Sequence, residues 1–221
     1  MITAGNYDYY FLLFSSGASG AFLRFILHGL ITKSDATIVL SDTNHAHYNL
    51  LDTGDRSNRG PDSTKRPSIR NCYFVEGSSK IARAHSFPSD TLINFINGKY
   101  VNPGIIVISG TQDEDLLEIT GNYLIKSFNL ETTTREQVAA EVLPLTYALK
   151  DFGNSNNTKD NLLVIKYNEI FVPIEDSFVG LRNLEDFTGT QATDKVLENY
   201  KTYVRGRKKL VQDKMKWLDL T

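Results

Sequence analysis

Apolar positions fall into two kinds of segment: short unbroken runs, and longer stretches where they recur at helical spacing. Tyr9 to Phe14 is an unbroken run, Ser15 to Gly20 holds only Ser, Gly and Ala, and Ala21 to Ile31 is apolar at helical spacing. Arg24 and His28, one turn apart, form the polar stripe of that last stretch. The pattern predicts strand, small-residue turn and helix. Thr37 to Leu40 then reads as a short buried strand, and Thr43 to Arg70 is so rich in Asp, Asn, Ser, Gly, Pro and Arg that it reads as a loop or lid. Brief strands are expected at Cys72 to Glu76 and Lys80 to Ala84, and Ser89 or Asp90 can cap a helix over Thr91 to Asn97.

Gly104 introduces Ile105 to Ser109, the clearest buried strand of the chain. Acidic residues after Gln112 start a helix running to Phe128, where they suit the helix dipole, and another begins at Thr133 or Thr134 and ends near Pro144. After a turn at Gly153 to Asp160, Leu162 to Ile165 forms a further buried strand leading to Tyr167-Asn168-Glu169. Asp186 to Thr193 reads as a loop, and Asp194 to Trp217 as a long basic amphipathic helix. Strands alternating with helices predict an α/β fold, a three-layer sandwich with a mainly parallel central sheet, forming one domain over residues 1–221.

Composition narrows the function classes. The 221 residues carry a formal net charge of -2, without the basic excess of a general nucleic-acid binder. A single cysteine, Cys72, cannot form an internal disulfide, which favours a reducing compartment. The first residues lack a basic signal-peptide region, and neither early apolar run reaches the ~20 residues of a membrane span. A cytoplasmic protein without a membrane span is expected; its oligomeric state stays open.

The loop from Ser15 to Gly20 has the chemistry of an anion cradle. Glycines let backbone N–H groups turn inward, and the following helix adds its unpaired amides and the positive end of its dipole. A nucleotide-hydrolysing phosphate loop would carry a lysine after its last glycine, and here Ala21 follows Gly20. Gly17-Ala18-Ser19-Gly20-Ala21 also approaches a serine-hydrolase nucleophile elbow, but that chemistry takes its histidine late in the chain. All 4 histidines, His28, His45, His47 and His85, come early. His45-Ala46-His47 could offer imidazoles to a metal, yet no third ligand stands at ligand spacing, so no metal site is assigned.

The stretch Ser79 to Pro88, SKIARAHSFP, resembles the sulfotransferase family, whose members carry Lys-Thr-His-x-Pro at a strand end. Arg83 takes the lysine place, Ala84 the threonine place and His85 the histidine place, while Pro88 lies one residue beyond the family proline. Ser19-Gly20 matches the Ser-Gly of the family's phosphosulfate loop, Leu163 to Ile170 resembles the strand ending in Tyr-Glu-Asp-Leu, and Phe187-Thr188-Gly189 with Glu198-Asn199-Tyr200 resembles the C-terminal segment.

The resemblance implies a phosphate-loop nucleoside-triphosphate-hydrolase-like fold and 3′-phosphoadenosine 5′-phosphosulfate (PAPS) as co-substrate. It makes His85 the catalytic base and Ser16, Gly17, Ala18, Ser19, Gly20 and Ala21 the donor loop. That loop lacks the family's basic residue, so Arg24 or Arg83 is the candidate to supply the charge. Ser109-Gly110-Thr111 stands where the family has an arginine for the 3′-phosphate. Ser109 and Thr111 are therefore candidates beside the donor, with Arg205 and Arg207 as replacement cations or, equally, a solvated helix face. The lid at 43–70 would shape a pocket for a small polar or carbohydrate acceptor. Rival readings are a small-molecule or nucleotide kinase, and a non-catalytic domain that has lost donor binding.

Overall fold

Strand β1 (Tyr9–Phe14) occupies the middle of the sheet, and every residue after Tyr9 is buried. The computed structural model describes residues 7–14, 18–35, 37–38, 72–73, 81–85, 89–110 and 159–217; Ala21, Cys72, Tyr73, 82–85 and 207–217 are described by backbone alone. On one side β1 pairs in parallel with β3 (Ile81–His85), from Tyr10 against Ile81 to Phe14 against His85. On the other it pairs in parallel with β4 (Pro103–Ser109), from Tyr9 against Pro103 to Leu13 against Val107. Strand β5 (Leu162–Lys166) continues in parallel beyond β4, and the short β2 (Cys72–Tyr73) lies antiparallel against β3. The order is β2-β3-β1-β4-β5.

Residues in these strands alternate between two cores, as a two-residue period requires. Tyr10, Leu12, Phe14, Ile106, Ile108, Leu163 and Ile165 pack with α1 (Gly20–Thr32), α3 (Val179–Thr188) and α4 (Asp194–Trp217). Phe11, Leu13, Ile105, Val107 and Leu162 pack with Leu92, Ile93 and Ile96 of α2 (Asp90–Lys99). Cover on both faces is why β4 reads as a continuous apolar run, buried at each position. The passage from β1 to β3 carries α1 on one face; the passage from β3 to β4 runs the opposite way across the sheet with α2 on the other face. Reversing both direction and face preserves one handedness of crossover.

The chain is thus an α/β fold with a mainly parallel sheet, as its pattern predicts. Ser89 caps α2 by accepting a hydrogen bond from Leu92 N. Two expectations are corrected. Thr37 and Ile38 are not strand: the Ile38 amide donates to Asn199 Oδ1 on α4 at 3.0 Å instead of to a ladder. Asp186 to Thr188 are not loop but the last turn of α3, held because Leu181, Leu184 and Phe187 bury one helix face. A small hairpin, β6 (Pro173–Ile174) and β7 (Ser177–Phe178), precedes α3. The elements expected at 39–40, 43–70, 112–128 and 133–142 lie outside the described residues. Among the described residues no helix is long and apolar enough to cross a membrane.

Candidate functional site

In an open parallel sheet, ligands collect at the carboxyl ends of neighbouring strands whose connections leave in opposite directions. Here β1 connects towards β3 and β4 towards β5, so that place is the crevice beyond Phe14 and Ser109. The chain re-enters there as Ala18, fully buried, then half-buried Ser19, then α1. Ser19 adopts φ 58 and ψ 20, a left-handed conformation uncommon for a residue with a Cβ. Gly20 is required by packing, because an added Cβ would fall on the Phe14 ring.

Among the described residues no side chain caps the start of α1. Ser19 stands at the N-cap but its side chain caps none of the first-turn amides, and no acidic residue occupies that turn. Unpaired amides and the helix dipole there favour an anion. Ser19 Oγ instead accepts a hydrogen bond from Tyr203 Oη of α4 at 2.8 Å. The Tyr203 ring lies on the Phe22 ring with centroids 3.7 Å apart and planes 9° apart. Helices α1 and α4 can approach closely because Gly29 carries no Cβ, which would come within 2.9 Å of Val196 Cγ2.

Two buried polar atoms at the same edge are unsatisfied. Ser109, at the end of β4, is fully buried, and its Oγ has no hydrogen-bond partner among the described residues; neither has Asn168 Oδ1, just past β5. The two strand ends are tied by Tyr167 N donating to Ser109 O at 2.7 Å. Ser109 lies two residues beyond Val107, the partner of Leu13, and so comes level with the point where the chain leaves β1. An orphaned buried polar group costs about 1–3 kcal/mol, which a ligand bonding to it recovers.

The sheet register sets His85 beside Phe14 and Arg83 beside Leu12, so the end of β3 reaches the same carboxyl edge. The side chains of Arg83, His85 and Arg207 are outside the description, as are Ser16, Gly17 and Thr111 altogether. Arg24 is half-buried in the second turn of α1, and Arg205 is exposed on α4 two residues after Tyr203. Ala18, Ser19, Gly20, Ser109 and the backbone of His85 thus gather at one edge, together with Tyr203 and Asn168, which the sequence does not single out. The only trace of Tyr203 in the sequence is its place in the Val196, Tyr200, Tyr203 stripe of α4, all buried.

Tyr200 on that stripe donates to Ile170 O at 2.9 Å, and its pKa is held well above the ordinary 10.0, first by burial and then by neighbouring Tyr203. It is a neutral structural phenol. Among the described residues no three of His, Cys, Asp and Glu gather as metal ligands. No family model, curated protein or solved structure matches the chain.

Proposed function

We propose that the protein is a cytoplasmic sulfotransferase of phosphate-loop type, taking PAPS as donor and a hydroxyl or amine of a small polar or carbohydrate molecule as acceptor. The observation that carries this reading is the pairing of Phe14 with His85, which brings the end of the histidine-bearing strand beside the start of the glycine-rich turn. A general base has to stand that near the transferred group.

In this scheme the His85 imidazole takes the acceptor proton as the new bond to sulfur forms. The sulfur–oxygen bond to the 5′-phosphate breaks, and its electron pair leaves on the phosphate. The amides at the start of α1, with Ser19, hold the growing negative charge, and Arg24 or Arg83 neutralises it. Ser109 and Thr111 contact the donor nucleotide, Arg205 and Arg207 its 3′-phosphate, and residues 43–70 shape the acceptor pocket.

The test is transfer of labelled sulfate from PAPS to a panel of sugars, phenols and amines. Transfer by the wild type, abolished in His85→Ala while donor affinity stays near the wild-type value, supports the scheme. Transfer that survives His85→Ala removes His85 as the base. Magnesium-dependent ATP turnover in place of sulfate transfer replaces the scheme with a kinase.

A further inference from the structure

Charge is unevenly placed along this chain. Residues 201–217 carry 7 of its 24 basic residues and, in Asp213, one of its 26 acidic residues. Their formal net charge is therefore +6 within a chain of -2, which leaves -8 for the rest. The whole segment belongs to α4. The helix dipole accounts for little of this surplus, because its effect is confined to the last turn, where only Lys214 and Lys216 stand.

Backbone position sorts these cations. Helix α4 docks through one buried stripe, Val196, Tyr200 and Tyr203. Steps of three and four residues from Lys201 reach Arg205, Lys208, Lys209, Gln212 and Lys216, so these positions share a second stripe, about half a turn around the helix from the first. Its members whose burial is described agree: Arg205 is exposed and Lys201 half-buried. Between Lys201 and Lys216 the stripe rises about 22 Å and holds no acidic residue. We infer that this face of α4 docks the protein on an anionic lipid surface. Each Lys or Arg held near a negatively charged leaflet strengthens attachment about fivefold. A straight helix face meets a plane along its whole length, and charged lipids diffuse sideways to gather beneath fixed cations. A nucleic acid fits the distribution less well, since the rest of the chain, at -8, repels a polyanion that reaches beyond the helix. The same acidic remainder is turned away from the membrane, which orients the docked molecule. Such docking is independent of the proposed transfer reaction.

Vesicle co-sedimentation of the full chain tests the inference, with vesicles of phosphatidylcholine alone and of phosphatidylcholine with roughly one-third phosphatidylserine. Arg205 and Arg207 are left intact, because the proposed donor site uses them. One variant combines Lys201→Gln, Lys208→Gln, Lys209→Gln and Lys216→Gln. A second combines Lys33→Gln, Lys99→Gln, Lys159→Gln and Lys166→Gln, which changes the net charge equally but lies off α4. Thermal unfolding of each is followed in parallel. The wild type is expected to partition onto the anionic vesicles at low salt and to leave them at about 1 M salt, where the Debye length shrinks to about 3 Å. The α4 variant is expected to lose at least about a hundredfold in partition and the off-helix variant less than about fivefold, with unfolding temperatures near the wild type.

A wild type that prefers neither vesicle overturns the inference, as does attachment that salt does not weaken. Equal losses in the two variants mean that net charge and not this helix face governs attachment, and overturn it too. Duplex DNA and single-stranded RNA are titrated alongside; tighter binding to either, lost in the α4 variant, replaces the lipid surface with a nucleic acid. Should the α4 variant not fold, Lys209→Gln and Lys216→Gln singly are each expected to weaken partition about fivefold, and unchanged partition in both overturns the inference.

Discussion

The two ends of the sheet are finished differently. At the amino end, polar groups close on one another: Tyr7 Oη donates to Asp160 O at 3.1 Å, and Asn161 Nδ2 donates at 2.8 Å to both Asn97 Oδ1 and Pro103 O. Asp8 N reaches Asn102 O, and Lys159 Nζ reaches Asn94 Oδ1. At the carboxyl end, Ser109 Oγ and Asn168 Oδ1 are orphaned among the described residues, α1 begins without a side-chain cap, and Ser19 holds a positive φ. Buried polar groups are nearly always paired, and backbone strain persists where surrounding structure enforces it, often at working sites. The amino end is a closed polar seam; the carboxyl end holds polar groups without a partner among the described residues.

Substitutions can break or sharpen that contrast. The largest effect is expected from Phe22→Ala, which takes out the ring that Tyr200 and Tyr203 pack on. It should cost about 3–5 kcal/mol in denaturant unfolding and abolish anion binding, since the support of Ser19 goes with it. A cost under about 1 kcal/mol would mean that the α1–α4 contact is not what fixes the loop. Asn161→Ala removes a two-acceptor tie at the amino end and is expected to cost about 1–3 kcal/mol with anion affinity unchanged. Altered affinity there would erase the distinction between the ends.

Alkaline titration reads the attachment of α4. Burial and then Tyr203 raise the Tyr200 pKa well above 10.0, so the folded state holds this proton more tightly than the unfolded chain. Its stabilisation is complete below pH 10.0 and is lost as pH rises beyond that value. Tyr200→Phe should flatten the fall in stability above pH 10.0; an unchanged slope would contradict burial of the phenol. Tyr7, raised first by burial and then by Asp160, contributes in the same direction.

The smallest effect on stability is expected from Ser109→Ala. Removing a buried hydroxyl with no partner among the described residues is expected to be neutral or stabilising by up to about 1 kcal/mol, with ligand affinity expected to fall. A clear loss of stability in the ligand-free protein would show that the hydroxyl is already satisfied.

What could be read from the residues alone follows from where their chemistry is local. β1 and β4 are legible because a central parallel strand is apolar on both faces, β5 because Leu162 to Ile165 is an unbroken apolar run, and α2 because Ser89 announces its start. Helix α3 is not, since Gly180 stands in its first turn and Glu185 looks like a surface residue. In the fold Glu185 is buried, with Oε1 accepting from Ala192 N at 2.6 Å to tie down the following turn.

The site divides in the same way. Ser19, Gly20 and Ser109 are legible from their places beside apolar runs. The Tyr203–Ser19 contact is not, because it joins residues 184 apart and exists only once α4 docks on α1. The nearness of His85 to the loop depends on β3 pairing with β1, which strand order decides and local sequence does not.

The proposal that the carboxyl edge between β1 and β4 binds an anion is tested most directly by calorimetric titration of the wild type with adenosine 3′,5′-bisphosphate. The account predicts saturable binding that raises the unfolding temperature and weakens as salt is added. No heat and no thermal shift at millimolar ligand would contradict it.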